Sequence, residues 1–167
     1  MSGDLYSPGP ARRFAVSVRD VKFGADVTIV EPCNIYDCTI LEGAFVGPFV
    51  EIQNDVFIGA RTRIQSHSFV CALVEIGEDC FIGHGVMFIN DRFENGGPAR
   101  GNKELWAETR IGDRVSIGSN STIMPVQICD DAVIGAGSVV TKNIEFPGVY
   151  AGNPARLLRQ FDILEKS

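Results

Sequence analysis

His67 and His84 are the only histidines in this 167-residue chain. They are the side chains whose ordinary pKa puts proton exchange near neutrality, and so the candidates for general-base work. Two histidines put a three-histidine zinc site out of reach. The five cysteines, at 33, 38, 71, 80 and 129, include no CxxC pair. Neither a thiolate metal site nor a disulfide framework is expected, and reduced thiols suit the cytoplasm. Asn90 and Asp91 follow in the segment FIND. Their side chains can grip an amine or a hydroxyl, and they open turns equally well.

The elements that position these residues follow from a step of six. Ile40, Val46, Ile52, Ile58, Ile64, Val70, Ile76, Ile82 and Phe88 recur without a slip. Gly47, Gly59, Gly77 and Gly83 follow four of them. Four residues after each anchor from Ile40 to Ile82 stands a small or β-branched residue: Ala44, Val50, Val56, Thr62, Ser68, Val74, Cys80 and Val86. The pattern begins with Phe23, Ile29 and Ile35. It resumes with Ile111, Ile117 and Ile123, then Ile128, Ile134 and Val140, with one residue dropped before Ile40 and another before Ile128. A period of 3.6 cannot hold such a stripe. Fixed self-similarity of this kind marks a repeat architecture. Three short strands per 18-residue coil make a three-sided prism with the anchors inside. The expectation is an all-β parallel β-helix, with glycine at the tight corners, where φ turns positive. His84 then follows Gly83 at a corner. His67 lies nearly one coil earlier, stacked beside residue 85, so both fall on one edge near the start of the segment at 89.

Three segments break the pattern. Residues 1–20 form an N-terminal extension with a flexible end. Residues 89–109, INDRFENGGPARGNKELWAET, form a long loop inserted into the coil at 21–140, and such loops are usually functional or mobile. Residues 141–167 form a tail ending in a short helix, which turns Leu157, Leu158, Phe161 and Leu164 towards the prism. A formal net charge of −6 argues against a broad basic surface for nucleic acid or anionic membrane. No apolar run approaches the roughly 20 residues that span a bilayer, so no membrane insertion is expected.

The repeats and the closing stretch VIGAGSVVTKNIEFPGVYAGNPAR resemble the hexapeptide-repeat acyltransferases, whose fold is a left-handed β-helix. The segment FIGHGVMFINDRF, its loop and Trp106 resemble a narrower branch, the N-acetyltransferases of nucleotide-linked 3-amino sugars. The resemblance implies a homotrimer with active sites shared between subunits. It implies acetyl-CoA as cosubstrate, a dTDP- or UDP-linked 3-amino-3-deoxysugar as acceptor, and a place in O-antigen, S-layer or related glycan synthesis. Pantetheine maps onto Gly118, Ser119, Ala136 and Gly137, where small residues let a thin arm approach the backbone. Lys142 and Arg156, and less directly Arg159, are the matching cations for its phosphates. Gly152, Asn153 and Pro154 shape the turn at the adenine end.

For the chemistry, the resemblance leaves two routes. One uses a histidine base, His84 or His67. In the other the substrate's own unprotonated amine attacks, with Asn90 as the amide contact and Asp91 accepting from the amine or a hydroxyl. Arg92, Arg100 and Lys103 stand where a diphosphate can bind. Phe93 and Trp106 either close over sugar or base, or, for Trp106, anchor the loop. Arg63, Gln65, Gln53, Asn54 and Ser66 are polar candidates for the nucleotide. The rival functions are O-acetylation of a sugar or of serine with a true histidine base, and a structural β-helix without catalysis. The γ-type carbonic anhydrases share the prism, but their zinc ligands are three histidines.

Overall fold

The computed structural model describes residues 17–161. The chain winds into three sheets of seven, six and eight strands, parallel except for the terminal strand of the third, most of them two residues long. The first sheet runs from Val18–Arg19 through Asn34–Tyr36, Glu51–Ile52, Phe69–Val70, Met87–Phe88 and Thr122–Ile123 to Val139–Val140. The second carries Phe57–Ile58, Val74–Ile76 and Thr109–Ile111. The third carries Arg63–Ile64, Phe81–Ile82, Ser116–Ile117 and Val133–Ile134. Each strand pairs with the one a full coil away: Ile40 with Ile58, Val46 with Ile64, and Ile64 with Ile82. The coils flanking the two dropped residues are tighter, so Ile35 registers with Ile52 and Ile123 with Val140.

The anchors are the core. All nine from Ile40 to Phe88 are buried, and so are the small residues four places on, from Ala44 to Val86. Each fully buried aliphatic side chain contributes about 1.5–3 kcal/mol of transfer free energy, offset by the ordering of the chain around it. The core frays at the first coil, where Phe23 is exposed.

Gly43, Gly85 and Gly137 take the positive φ expected of corner glycines, but the glycines directly after the anchors play a different part. Gly47, Gly59, Gly77 and Gly83 do not have positive φ. Those positions need glycine because the neighbouring rung passes too close: a Cβ on Gly47 would stand 2.9 Å from the Ser66 amide nitrogen. The left-handed residue comes three places after the anchor, and it is usually not glycine. Asp26, Phe49, Asp55, Arg61, His67, Leu73, Asp79, Arg114, Asn120 and Asp131 all have φ between 55° and 69°. Asp and Asn tolerate this conformation; for Phe and Leu it is a strained one.

The edge between the second and third sheets is a ladder of charge. Arg61 binds Asp79 and Glu78 at 2.7 Å each, and Arg114 binds Asp131 at 3.0 Å and Asp130 at 3.4 Å. These pairs face solvent, so screening leaves each of them little weight in stability.

The tail departs from expectation. Residues 155–160 form a strand, antiparallel to Gly148–Gly152, where a helix was expected. Gly148–Gly152 itself adds to the third sheet in parallel with Val133–Ile134. That leaves an open backbone edge, and the tail folds back to satisfy it, which outweighs a weak helical pattern. Leu157 and Leu158 are accordingly exposed rather than turned onto the prism. The rest of the expected helix, like most of the N-terminal extension, lies outside the described residues. Coiling also begins before residue 21, since Val18–Arg19 already pairs with Ile35–Tyr36.

Candidate active site

The edge between the third and first sheets carries both histidines. Going up the prism, its corner pairs are Pro48–Phe49, Ser66–His67, His84–Gly85, Ser119–Asn120 and Ala136–Gly137. Backbone bonds link them in register: His67 N donates to Pro48 O, Gly85 N to Ser66 O, Asn120 N to His84 O and Gly137 N to Ser119 O. The stacking places His84 over Ser66 and His67 beneath Gly85.

His84 is exposed and tightly framed. A Cβ on Gly83 would lie 2.7 Å from the Ser119 amide nitrogen, and one on Gly85, at φ +66°, would press on the Asn120 side chain at 2.6 Å. The His84 backbone N–H donates to Ser119 Oγ at 3.2 Å. The ring nitrogen Nδ1 lies 2.8 Å from Ser66 Oγ, one rung below. Among the described residues the other nitrogen, Nε2, has no hydrogen-bond partner. His67 has a different partner, for its ring stacks on Phe49 with centroids 4.9 Å apart and planes at 14°.

Directly above His84 on the same edge stand the four small residues expected to receive pantetheine. A Cβ on Gly118 would collide with the Ala136 amide nitrogen, while nothing lies within 4 Å of the Cβ position on Gly137. At the end of the prism, Lys142 and Arg156 line one cleft of about 280 Å3 with Tyr150 and Leu157, Lys142 standing at the corner after the first sheet, on the edge of Asn90 rather than that of His84. Gly152, at φ +107°, donates its N–H to Ser138 Oγ and starts the Asn153–Pro154 turn of the terminal hairpin. Arg159 lies against the Phe161 ring instead of in that cleft. A larger cleft, about 440 Å3 between Arg110, Gln127, Cys129 and Glu145, opens beside the second sheet, away from the histidine edge.

Asn90 and Asp91 sit elsewhere, at the edge between the first and second sheets, a full side of the prism from His84. Asn90 Nδ2 donates to Ala72 O at 3.1 Å, and Asp91 accepts from the backbone N–H groups of Phe93 and Ala99 at 2.9 and 2.6 Å. Trp106 bridges to Asp91, and Ala107 N donates to Asn90 O. Arg92 donates to Pro125 O and Lys103 pairs with Asp55 at 3.7 Å. These residues pin the loop along the prism, with a single 3-10 turn at Lys103–Leu105. Phe93 stays exposed, as does Arg100. Near the opposite edge, Arg63 lies over the Phe45 ring at 4.3 Å, with Gln65 half-buried beside the corner. Among the described residues no group of three His, Cys, Asp or Glu could hold a metal ion.

The outer faces differ. Phe45, Arg63, Phe81, Ser116 and Val133 point out of the third sheet, Glu51, Phe69, Met87, Thr122 and Val139 out of the first, and Lys22, Thr39, Phe57, Glu75, Arg110 and Gln127 out of the second. Beside the histidine edge, Phe49, Phe81 and Met87 are exposed.

The family model described as "Hexapeptide repeat of succinyl-transferase" matches residues 108–142, the coils just above His84. The coils of this chain carry the hexapeptide repeat that this model describes. The bifunctional protein GlmU of Ruthia magnifica subsp. Calyptogena magnifica is 33% identical over 137 residues, covering 75% of this chain and 29% of that protein. The chain spans no more than about a third of the length of the curated relatives it matches. Among solved structures, AntD, an N-acyltransferase from Bacillus cereus, was determined as a point mutant with dTDP-4-amino-4,6-dideoxyglucose and coenzyme A. It is 21% identical with a TM-score of 0.70 over 83% of this chain and 86% of that one. A hexapeptide transferase family protein from Anaplasma phagocytophilum is 19% identical, with a TM-score of 0.68 over 86% and 80%. At these identities the likeness is one of fold.

Two features escaped the sequence. Phe49 sits three residues after an anchor, where the corners favour Asp, Asn and Gly, and that misfit was its signal. Ser66 was a candidate for the nucleotide, but its contact is with His84; the signal was its place one 18-residue coil before that histidine.

Proposed function

We propose that this hexapeptide-repeat protein transfers an acetyl group from acetyl-CoA to the amine of a nucleotide-linked 3-amino-3-deoxysugar, as a homotrimer, in glycan precursor synthesis. One observation carries this: a single edge of the prism holds the framed His84 and, on the next two rungs, the small residues Gly118, Ser119, Ala136 and Gly137. A thin acyl carrier laid along those rungs brings its thioester towards His84, and its phosphates pass over the end of the prism to the cleft of Arg156 and Lys142, the lysine reaching in from the edge of Asn90.

Transfer then needs the amine positioned, its proton removed and the oxyanion held. The nitrogen attacks the thioester carbonyl, the C–N bond forms, and the C–S bond breaks. His84 Nε2 takes the amine proton and returns one to the departing sulfur. Asn90 lies a side away within one chain, so its part is to contact the sugar bound at a neighbour's histidine edge. The exposed Phe49, Phe81 and Met87 beside that edge support such packing. The amino sugar rests on the resemblance of FIGHGVMFINDRF; AntD, alike in fold, holds a dTDP-linked sugar with its amine at C4, which supports the amino-sugar class but not the C3 position.

Mass analysis after incubation with acetyl-CoA and a panel of nucleotide-linked amino sugars and nucleotide sugars tests this. Acetylation of the amine alone is expected. The Ser66-held base also suits O-transfer, and products acetylated only on hydroxyls would move the assignment there.

A further inference from the structure

We propose that Ser66 is a positioning residue that fixes the ring and the tautomer of His84, so that Nε2 faces outward with its lone pair free. The proposal rests on the acyl-transfer function above, and it concerns the side chain one rung below the base. An exposed histidine on a corner ordinarily samples several rotamers. Here a hydroxyl stands 2.8 Å from Nδ1, and its carrier is itself rigid. Ser66 O accepts from Gly85 N at 3.0 Å, and His67 N is bound to Pro48 O at 3.2 Å, so the corner holding the hydroxyl is tied above and below. Ser119 Oγ takes the His84 backbone N–H from the other side. The base is thus clasped between serines on the two adjoining rungs.

A hydroxyl can accept or donate. For Nε2 to act as a base, the ring proton must sit on Nδ1, and Ser66 Oγ must accept it. When Nε2 has taken the substrate's proton, the imidazolium still donates from Nδ1 to the same oxygen. Ser66 therefore serves both halves of the cycle without moving, which is what preorganisation requires. A neutral hydroxyl also orients the ring without setting a negative charge beside an anionic nucleotide.

The test begins without substrate. Long-range proton–nitrogen spectra of the full-length protein resolve two histidine rings, assigned with His67→Gln and His84→Gln. The wild-type His84 is expected as the Nδ1–H tautomer at pH above its titration. Ser66→Ala is expected to shift it towards the Nε2–H form that free histidine prefers, and Ser66→Thr to restore it. A wild-type Nε2–H tautomer, or no change in Ser66→Ala, overturns the proposal. In turnover with acetyl-CoA and an amino-sugar acceptor, Ser66→Ala should lower kcat about tenfold with KM little changed, and Ser66→Thr should recover it. If His84→Ala keeps wild-type kcat, the base assignment fails by itself, while the tautomer result stands. If His84→Ala is inactive and Ser66→Ala is not impaired, the positioning role is wrong and the base survives.

Discussion

The rings of Phe49 and His67 stack 4.9 Å apart and nearly parallel, two rungs and one rung below the ring of His84, which instead faces a serine hydroxyl. Two histidines on one edge thus have different employments. His67 packs flat on an aromatic platform; His84 has one nitrogen bonded and the other free.

Their substitutions should separate accordingly. His84→Ala is expected to lower kcat by about 10²–10⁴-fold, the usual share of a general base. His67→Ala should lower it by less than about tenfold. Steady-state rates of the two variants check this, and equal losses would mean that the two rings act together.

Thr109 offers a prediction about stability. Its hydroxyl is buried with no hydrogen-bond partner, and it registers with Val74 on the neighbouring strand. Thr109→Val keeps the shape and removes an unsatisfied polar atom. It should raise stability by about 1 kcal/mol, since burying an unpaired hydroxyl costs about 1–3 kcal/mol. Denaturant unfolding would show the gain as a higher midpoint with an unchanged slope.

The buried thiols predict a loss of stability in alkali. Burial pushes Cys71 up to about 12 and Cys38 and Cys80 up to about 11, from 9.0. Folded thiols therefore hold protons that unfolded ones release. Their contribution is intact below about pH 9, the unfolded value, and is lost as pH rises through the folded values. The melting temperature should fall above about pH 9, and fall less in a variant with all three replaced by Val or Ala.

A strict step of six put every anchor from Ile40 to Phe88 inside, because each side of the prism turns the same two of its six positions inward, the anchor and the small residue four places on, and hydrophobic burial enforces it. The corners were legible only in part. Gly83 was seen, but the cause is the passage of the next rung's backbone at Ser119, a closeness between distant stretches of chain that no local pattern contains. The terminal strand was missed because its partner is an open sheet edge, a tertiary object, while LLRQFDILEK carries a helical period. The site divided in the same way. His84 and the small residues above it share an edge because 18-residue stacking places them there. The separation of Asn90 from His84 was hidden, since adjacency in sequence suggested adjacency in space.

The loop gives a prediction of its own. Asp91 ties both ends of the segment from Phe93 to Ala99 through two backbone N–H groups. Asp91→Ala should release it, raising hydrogen exchange across residues 92–105 while the coils at 58–88 stay protected. Unchanged exchange in the loop would show that Arg92 and Lys103 hold it alone.

The most direct test of the central claim is to weigh the products of the purified protein incubated with acetyl-CoA and dTDP- or UDP-linked 3-amino-3-deoxysugars. The account predicts one added acetyl group on the amine, in wild type and greatly reduced in His84→Ala. No acetylated amino sugar, with acetyl-CoA consumed only on hydroxyl acceptors or not at all, would contradict it.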